Sequence, residues 1–264
     1  LGPRLAKPLF HLVRPVAFGH HCRPLNRVRR EFGLPSLGFD LRRIYTHADF
    51  TLYADAPELF PLRGLPPNHR YLGPVLWSPS LSLPEWWPEL PARRPVVYLT
   101  LGSSGRQDLL PVVVSALADL PVVVIVATAG QTAPQPLPPN VFAEAYLPGE
   151  AAARRASLVI CNGGSPTTQQ ALAAGTPVLG LAGNMDQHLN MRAICKAGAG
   201  LLVRSDAATL PAIRDAAERL LAGPAYREAA AAIASAFGGY NARGRFRSFV
   251  DDQFNRVSTG AAAS

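Results

Sequence analysis

A glycine turn that leads directly into a helix is the part of this sequence best suited to bind an anion. Asn162-Gly163-Gly164 follows the apolar run 158–161, and Ser165 and Pro166 after it suit an N-cap and a first helical position. The first amides of a helix have no partner within it, and the helix dipole places partial positive charge beside them. Thr167 and Thr168 add hydroxyl donors. The stretch predicts a phosphate site, and the alternative is a turn that only reverses the chain.

A second group of polar residues follows the next predicted strand, 177–181. Asp186 and Gln187 come after a short turn, and Asn190 lies one helical turn further on. A carboxylate accepts hydrogen bonds from hydroxyls, while an amide both donates and accepts, so the pair suits a sugar. The alternative is that Asp186 caps the helix predicted over 188–197. We favour sugar contact because a cap requires neither Gln187 nor its spacing to Asn190.

Short apolar runs alternate with helical segments between residues 96 and 237. The predicted strands are 96–101, 122–127, 141–145, 158–161 and 177–181, and the predicted helices are 108–118, 150–156, 166–174, 188–197, 210–222 and 226–237. This alternation is typical of a parallel α/β sheet, which binds ligands at the carboxyl ends of its strands. The 102–105 turn, the 146–148 segment and the 162–167 loop all follow strands, so we expect them at that edge. The glycine spacing matches neither the P-loop nor the dinucleotide fingerprint.

Residues 158–190 resemble the donor-binding signature of the GT-B glycosyltransferases. This nucleotide-sugar-dependent family includes macrolide, glucuronosyl and plant secondary-metabolite glycosyltransferases. Its pattern is a His-x-Gly loop, a hydroxyl residue and an acid in the following helix, and later an acid-Gln pair before an Asn. The corresponding residues here are Asn162-Gly163-Gly164, Thr167, Gln170, Asp186-Gln187 and Asn190. The resemblance implies an α/β fold of GT-B type, with a Rossmann-like parallel sheet in the donor-binding domain and a partial amino-terminal domain.

The resemblance also implies a role for each part of the site. The 162–167 loop would hold the diphosphate, Gln170 would face the ribose hydroxyls, and Asp186 with Gln187 would bind the donor sugar. The 102–105 turn would contact the diphosphate and the sugar, and the 146–148 segment would receive a pyrimidine base; the alternative is that Tyr146 only packs the strand end. The implied nucleotide-sugar-binding residues are Gly102, Ser103, Ser104, Tyr146, Leu147, Asn162, Gly163, Gly164, Thr167, Gln170, Asp186, Gln187 and Asn190.

Two positions depart from the commoner family pattern. Asn162 stands where the family has His, and Gln170 stands where it has a carboxylate. Both side chains keep hydrogen-bonding capacity, but their contacts with phosphate and ribose become neutral and therefore weaker. The departures bear on the identity of the donor more than on the fold.

The predicted domain organisation has five parts. They are a partial amino-terminal (acceptor) domain over 1–76, a Pro/Trp-rich linker over 77–95, the donor-binding domain over 96–240, a terminal helix over 241–257 that crosses back, and a disordered tail over 258–264. Within the first part we expect a short basic helix over 24–32, a strand over 49–53 and an extended piece over 70–75. The linker tryptophans, Trp77, Trp86 and Trp87, would anchor the linker to the domain surfaces or stack on a ligand.

The net charge of +8 is concentrated near the amino terminus. Residues 1–94 contain 13 Lys and Arg against 7 Asp and Glu, whereas residues 95–264 contain 13 against 11. Three interpretations of this basic segment are open. It would attract an anionic substrate, it would make peripheral contact with acidic lipid headgroups, or it would be a solvated surface without a partner. No basic run has interleaved aromatic residues, so we expect no nucleic-acid partner.

Three widely spaced cysteines, Cys22, Cys161 and Cys195, without a C-x-x-C pair favour neither disulfides nor a zinc site, and they point to the cytoplasm. No segment has the pattern of a transmembrane helix or a secretory signal. No carboxylate cluster resembles a metal site. We therefore expect no metal and no cofactor, with the nucleotide sugar as a co-substrate.

The resemblance implies a glycosyltransferase. It would transfer a hexose from a UDP or dTDP sugar to a hydroxyl of a small-molecule or lipid acceptor, with inversion. About 94 residues precede the donor domain, roughly half of the family's amino-terminal domain, and the usual general base, a His, lies in the other half. We therefore expect a fragment or a half-enzyme with no catalytic residue in this chain, and we expect His20 and His21 to be surface or packing residues. The alternatives are a non-catalytic nucleotide-sugar-binding subunit that needs a partner chain, and another GT-B enzyme such as a nucleotide-sugar epimerase.

Overall fold

The computed structural model describes the secondary structure of residues 3–261 and the side chains of residues 8–254. The chain divides into two compact units, the first formed by Leu1–Tyr53 and Gly64–Arg70 and the second by Ala54–Arg63 and Tyr71–Ser264. Residues 54–63 and 71–76, which we assigned to an amino-terminal domain, therefore cluster with the larger second unit.

The first unit consists of two helices and a small sheet. These elements are α1 (Pro3–Glu31), α2 (Leu41–Thr46), β1 (Thr51–Tyr53) and β2 (His69–Tyr71), and the two strands pair with each other. The side chain of Asn26 holds the loop after α1, because Nδ2 donates to the Gly38 carbonyl at 2.8 Å and Oδ1 accepts from the Leu37 amide at 3.0 Å. The strand predicted over 49–53 is confirmed.

The helix predicted over 24–32 is much longer than expected. α1 has 29 residues and contains Pro8, Pro15 and Pro24. The sequence shows no clear helical periodicity there, and an interior proline usually disfavours a helix because it removes one backbone donor and its ring clashes with the preceding turn. His20 and His21 are both exposed on this helix.

Parallel strands form the sheet of the second unit, in the order β5-β4-β3-β6-β7-β8. The strands are β3 (Val96–Thr100), β4 (Val123–Ala127), β5 (Val141–Glu144), β6 (Leu158–Cys161), β7 (Val178–Ala182) and β8 (Gly200–Arg204). The predicted parallel sheet is confirmed, and only β8 was not foreseen. β3, β4, β6 and β7 are buried at every position, as expected for strands covered on both faces.

Helices cover both faces of this sheet. They are α3 (Leu110–Leu117), α4 (Gly149–Arg155), α5 (Ser165–Ala173), α6 (Met185–Lys196), α7 (Leu210–Ala222) and α8 (Pro224–Gly238), and the terminal helix α9 (Ala242–Ala261) follows them in the chain. α3 and α7 pack into one apolar core, while α4, α5, α6 and α8 pack into the other. α9 continues beyond the predicted end at 257, and residues 262–264 of the predicted tail lie outside the described residues. Among the described residues, no helix has the length and apolar character that crossing a bilayer requires.

The strand order reverses between β3 and β6, which lie side by side in the sheet. Thr100 at the end of β3 is in register with Cys161 at the end of β6. The chain leaves these two neighbouring ends towards opposite faces, which opens a crevice at the carboxyl edge, where sheets of this class bind ligands. The 102–105 turn and the 162–167 loop begin on the two sides of this crevice.

Candidate functional site

The two loops at the crevice are joined by one side chain. Asn162 Nδ2 donates to Ser104 Oγ at 3.1 Å, and Asn162 Oδ1 accepts from the Gly164 amide at 3.0 Å. Asn162 is buried, so it braces the loops rather than presenting a free amide to solvent. The structure therefore brings both predicted loops together, with Asn162 as the link between them.

Two glycines of these loops adopt backbone conformations that other residues rarely reach. Gly102 has φ +60° and Gly163 has φ +82°. A Cβ at Gly163 would lie 2.7 Å from Met191 Cγ, and a Cβ at Gly180 in β7 would lie 2.4 Å from the same atom. Met191 of α6 therefore fills the space beneath the loop that two missing side chains leave.

Helix α5 starts one residue earlier than we expected. Gly164 is its N-cap, with φ −71° and ψ 149°, so Ser165 and Pro166 occupy the first helical turn and Ser165 is not the cap. Thr168 is buried, and its hydroxyl bonds the carbonyls of Gly164 and Ser165 at 3.1 Å each. Thr168 is therefore used inside the helix, whereas Thr167 lines an open cavity at the helix start.

This cavity has a volume of 480 Å³ and lies at the carboxyl edge of the sheet. Five predicted residues line it: Gly102, Tyr146, Leu147, Thr167 and Gln170. Trp77, for which ligand stacking was one alternative, and Pro166, which belongs to the 162–167 loop, also line it. The lining residues that the sequence did not indicate are Ser78, Pro79, Leu81, Tyr98, Thr100, Ala127, Ala129 and Gly149. Trp77, Ser78, Pro79 and Leu81 belong to the linker, which therefore forms part of the cavity wall as well as connecting two segments.

Two hydrogen bonds fix the linker to the sheet edge. Gln170 Nε2 donates to the Trp77 carbonyl at 2.5 Å, and the Gly149 amide donates to Ser78 Oγ at 2.9 Å. The Gln170 amide is thus already engaged, although the side chain still borders the cavity where we predicted ribose contact. An ionised carboxylate at position 170 could not donate to the Trp77 carbonyl. This hydrogen bond therefore explains in structural terms why the chain has Gln at position 170.

The tryptophans of the linker have different roles. Trp86 Nε1 donates to Glu144 Oε1 at 2.9 Å, and its ring lies 5.2 Å from that of Phe142, measured between centroids. Trp86 and Trp87 both pack against the core, which confirms the anchoring interpretation for these two. Trp77 is instead 72% exposed, and its ring borders the cavity. Tyr146 is similarly available, at 61% exposed.

The residues predicted to bind the sugar separate into one exposed acid and two buried amides. Gln187 Oε1 accepts from the Gly183 amide at 2.9 Å, and Asn190 Nδ2 donates to the Gly163 carbonyl at 2.7 Å. Both amides therefore hold loops in place. Asp186 is exposed at the start of α6, and it is not the cap of that helix. Asn184 is the cap, because its Oδ1 accepts from the Gln187 amide at 3.0 Å.

The floor beneath the loops stays uncharged. Burial raises the pKa of the Cys161 thiol to about 12, and burial also raises the pKa of the Tyr98 phenol well above its usual range. The Gly163 amide donates to Cys161 Sγ at 3.3 Å. Both groups therefore stay protonated at neutral pH and contribute no charge under a bound anion.

Comparison with known proteins agrees with this geometry. Residues 111–238 match the family model of the erythromycin biosynthesis protein CIII-like C-terminal domain. Over 90% of its length, the chain is 57% identical to a PGL/p-HBAD biosynthesis glycosyltransferase of Mycobacterium tuberculosis (strain ATCC 25177 / H37Ra). The chain is therefore similar in sequence to this glycosyltransferase. It spans about half of the curated relatives it matches, 55% in this case.

Two further proteins similar to this chain are also named glycosyltransferases or rhamnosyltransferases. A PGL/p-HBAD biosynthesis rhamnosyltransferase of Mycobacterium bovis (strain BCG / Pasteur 1173P2) is 56% identical over 90% of this chain and 53% of its own length. The solved structure of the glycosyltransferase VinC in complex with dTDP is 27% identical, with a TM-score of 0.66. That likeness covers 76% of this chain and 51% of VinC. The predicted GT-B fold is therefore confirmed.

Proposed function

We propose that this chain binds a nucleoside diphosphate sugar in the 480 Å³ cavity and supplies the donor-binding part of a glycosyltransferase. The enzyme transfers a hexose to an acceptor hydroxyl with inversion at the anomeric carbon. The observation that carries the proposal is the pair of loops, joined by Asn162 and Ser104, at the reversal of strand order. Both loops border the cavity, which Gly102 and Thr167 line.

Each part of the nucleotide sugar finds a chemically suitable surface in this arrangement. The base packs on Tyr146, which is exposed, and on Leu147. The diphosphate lies at the start of α5, where the free amides of Ser165 and Thr167 and the helix dipole meet its charge without a metal ion. The sugar extends towards Asp186, whose exposed carboxylate accepts hydrogen bonds from hydroxyls.

The names of similar proteins support particular choices of donor. The structure of VinC contains dTDP, and one mycobacterial relative is named a rhamnosyltransferase. We therefore propose a dTDP-linked or UDP-linked hexose as the donor and a hydroxyl-bearing small molecule or lipid as the acceptor. The three unpaired cysteines support a reducing compartment, and we propose the cytoplasm.

Calorimetric titration with dTDP and with UDP, in the presence of a chelator, tests this proposal. We expect saturable binding of at least one nucleotide, weakened in Thr167→Val because a hydroxyl donor is lost. Glu218→Ala is the matched control, because Glu218 lines a separate cavity of 330 Å³ with Pro95 and Leu120. Absence of heat from both nucleotides, with folded protein, would refute the proposal.

A further inference from the structure

A second cavity, of 390 Å³, lies beside the first turn of α5 and contains a carboxylate that sequence analysis did not select. The carboxylate belongs to Asp55, which follows the first unit directly in sequence but clusters with the second unit. Trp77 and Pro166 border both this cavity and the 480 Å³ cavity. The two cavities therefore adjoin at the start of the helix that we propose binds the diphosphate.

A buried amide holds Asp55 in place. Gln169 Nε2 donates to Asp55 Oδ1 at 3.1 Å and to the Ala54 carbonyl at 2.9 Å. Gln169 is only 6% exposed, so its amide is held by the surrounding fold and fixes the position of the carboxylate. Asp55 can accept further hydrogen bonds, because an ionised carboxylate has about four lone-pair sites.

The surroundings of Asp55 in the folded protein disfavour the ionised form of its side chain. Partial burial raises the pKa of Asp55, the bond from Gln169 opposes that shift, and the negative charge of Asp186 adds to it. When folding raises the pKa of a carboxyl group, the folded state favours the protonated form of that group. The group therefore stabilises the folded state at low pH, and this stabilisation is lost as the pH rises and the group ionises. The ionised Asp55 is therefore an unfavourable group in the free protein, which is typical of residues that serve a ligand.

The walls of the cavity combine the surfaces that a sugar requires. The carboxylate of Asp55 and the hydroxyl of Ser165 suit hydroxyl groups, while the ring of Trp77 and the side chain of Val75 offer apolar surface to C–H groups. The influence of Asp186 on Asp55 shows that the two carboxylates lie within electrostatic reach. Asp186 is the acid that we propose contacts the donor sugar.

We propose that Asp55 accepts a hydrogen bond from a hydroxyl of the transferred sugar, in a subsite that continues the donor cavity past Trp77 and Pro166. Gln169 is then a positioning residue that holds the carboxylate. This inference rests on the proposed function, because the cavity becomes a sugar subsite only if the diphosphate lies at the start of α5. Asp55 and Asp186 would then both accept hydrogen bonds from sugar hydroxyls, and together they would select sugars by the positions of those hydroxyls.

Calorimetric titration of the 264-residue chain with dTDP, dTDP-rhamnose, UDP and UDP-glucose tests the inference. In Asp55→Asn we expect about 10-fold weaker binding of the nucleotide sugar, through loss of a charge-assisted hydrogen bond. The affinity for the matching free nucleotide should not change. Asn still accepts from Gln169, and a partly buried charge is removed, so thermal unfolding of this variant should occur at the same or a higher temperature.

Glu58→Gln is the matched control, because it removes the same charge from the same segment at an exposed residue that Tyr240 contacts. It should leave all four affinities unchanged. If Asp55→Asn binds nucleotide sugars as tightly as the unaltered chain, or weakens free nucleotides equally, the inference is overturned while the proposed function stands. If the unaltered chain binds neither free nucleotide, the proposed function fails and the inference fails with it.

Discussion

The side-chain amide of Asn190 donates to the carbonyl of Gly163 at 2.7 Å, and so joins helix α6 to the glycine loop at the crevice. The same Nδ2 also donates to Thr168 Oγ1 at 2.8 Å. Asn190 is only 5% exposed, and its amide nitrogen is engaged by the fold through both bonds. The spacing between the acid-Gln pair and Asn190 therefore has a structural explanation: the Asn holds the glycine loop in its observed conformation.

We expect Asn190→Leu to lower the free energy of unfolding by about 1–3 kcal/mol, because the change leaves two buried polar groups without their partner. Urea denaturation followed by circular dichroism measures this. Arg192→Ala, at an exposed position of the same helix, is the control and should change stability by less than about 0.5 kcal/mol. An unfolding midpoint for Asn190→Leu equal to that of the control would show that the two bonds contribute nothing.

Gly163→Ala should destabilise the protein by about 2–4 kcal/mol. The new Cβ would lie 2.7 Å from Met191 Cγ, and the residue would have to hold φ +82°. Gly238→Ala is the matched control, since a Cβ there meets nothing within 4 Å and φ is not positive. The control should be neutral or stabilise by up to about 1 kcal/mol. Equal melting temperatures for the two variants would contradict the packing argument.

Tyr146→Ala should weaken nucleotide binding by about 1–3 kcal/mol if the ring stacks on the base, whereas Tyr146→Phe should retain affinity. The ring is 61% exposed, so neither change should affect folding. Isothermal titration with dTDP and UDP provides the comparison. Unchanged affinity in the alanine variant would assign Tyr146 to packing at the strand end alone.

Asp186→Asn should reduce affinity for the nucleotide sugar by about 1–2 kcal/mol and leave affinity for the free nucleoside diphosphate unchanged. Stability should barely change, because Asn184 rather than Asp186 caps α6. Isothermal titration of the variant with dTDP and with dTDP-rhamnose compares its affinities for the free nucleotide and for the nucleotide sugar. A loss of equal size for both ligands would show that Asp186 acts through the general field of the site, not through a sugar hydroxyl.

The sheet could be predicted from sequence because four of its strands, β3, β4, β6 and β7, are buried at every position and the strands are separated by helices with clear ends. β6 and α7 occur at the predicted residues, 158–161 and 210–222. The prediction of secondary structure failed where a residue that usually disfavours an element lies within it, because contacts elsewhere in the fold outweigh the local preference of that residue. α1 passes through three prolines, and β8 begins at Gly200, a residue type that usually interrupts strands.

The positions of the loops could also be predicted, but the directions of their side chains could not. Spacing placed Gln187 and Asn190 near the site, whereas their burial depends on backbone groups of Gly183 and Gly163 that approach only in the folded chain. Asp55 illustrates the same limit. Its partner, Gln169, lies 114 positions away, and no local pattern links the two.

The packing of Met191 under Gly163 and Gly180 has a consequence for how relatives of this protein can vary. A side chain at either glycine would occupy the volume that the thioether already fills, with contacts of 2.7 and 2.4 Å to Met191 Cγ. A shorter residue at 191 would make room for a methyl at 180, while position 163 would still require a left-handed conformation. Positions 180 and 191 should therefore covary among homologues, and position 163 should stay glycine whichever residue lies beneath it.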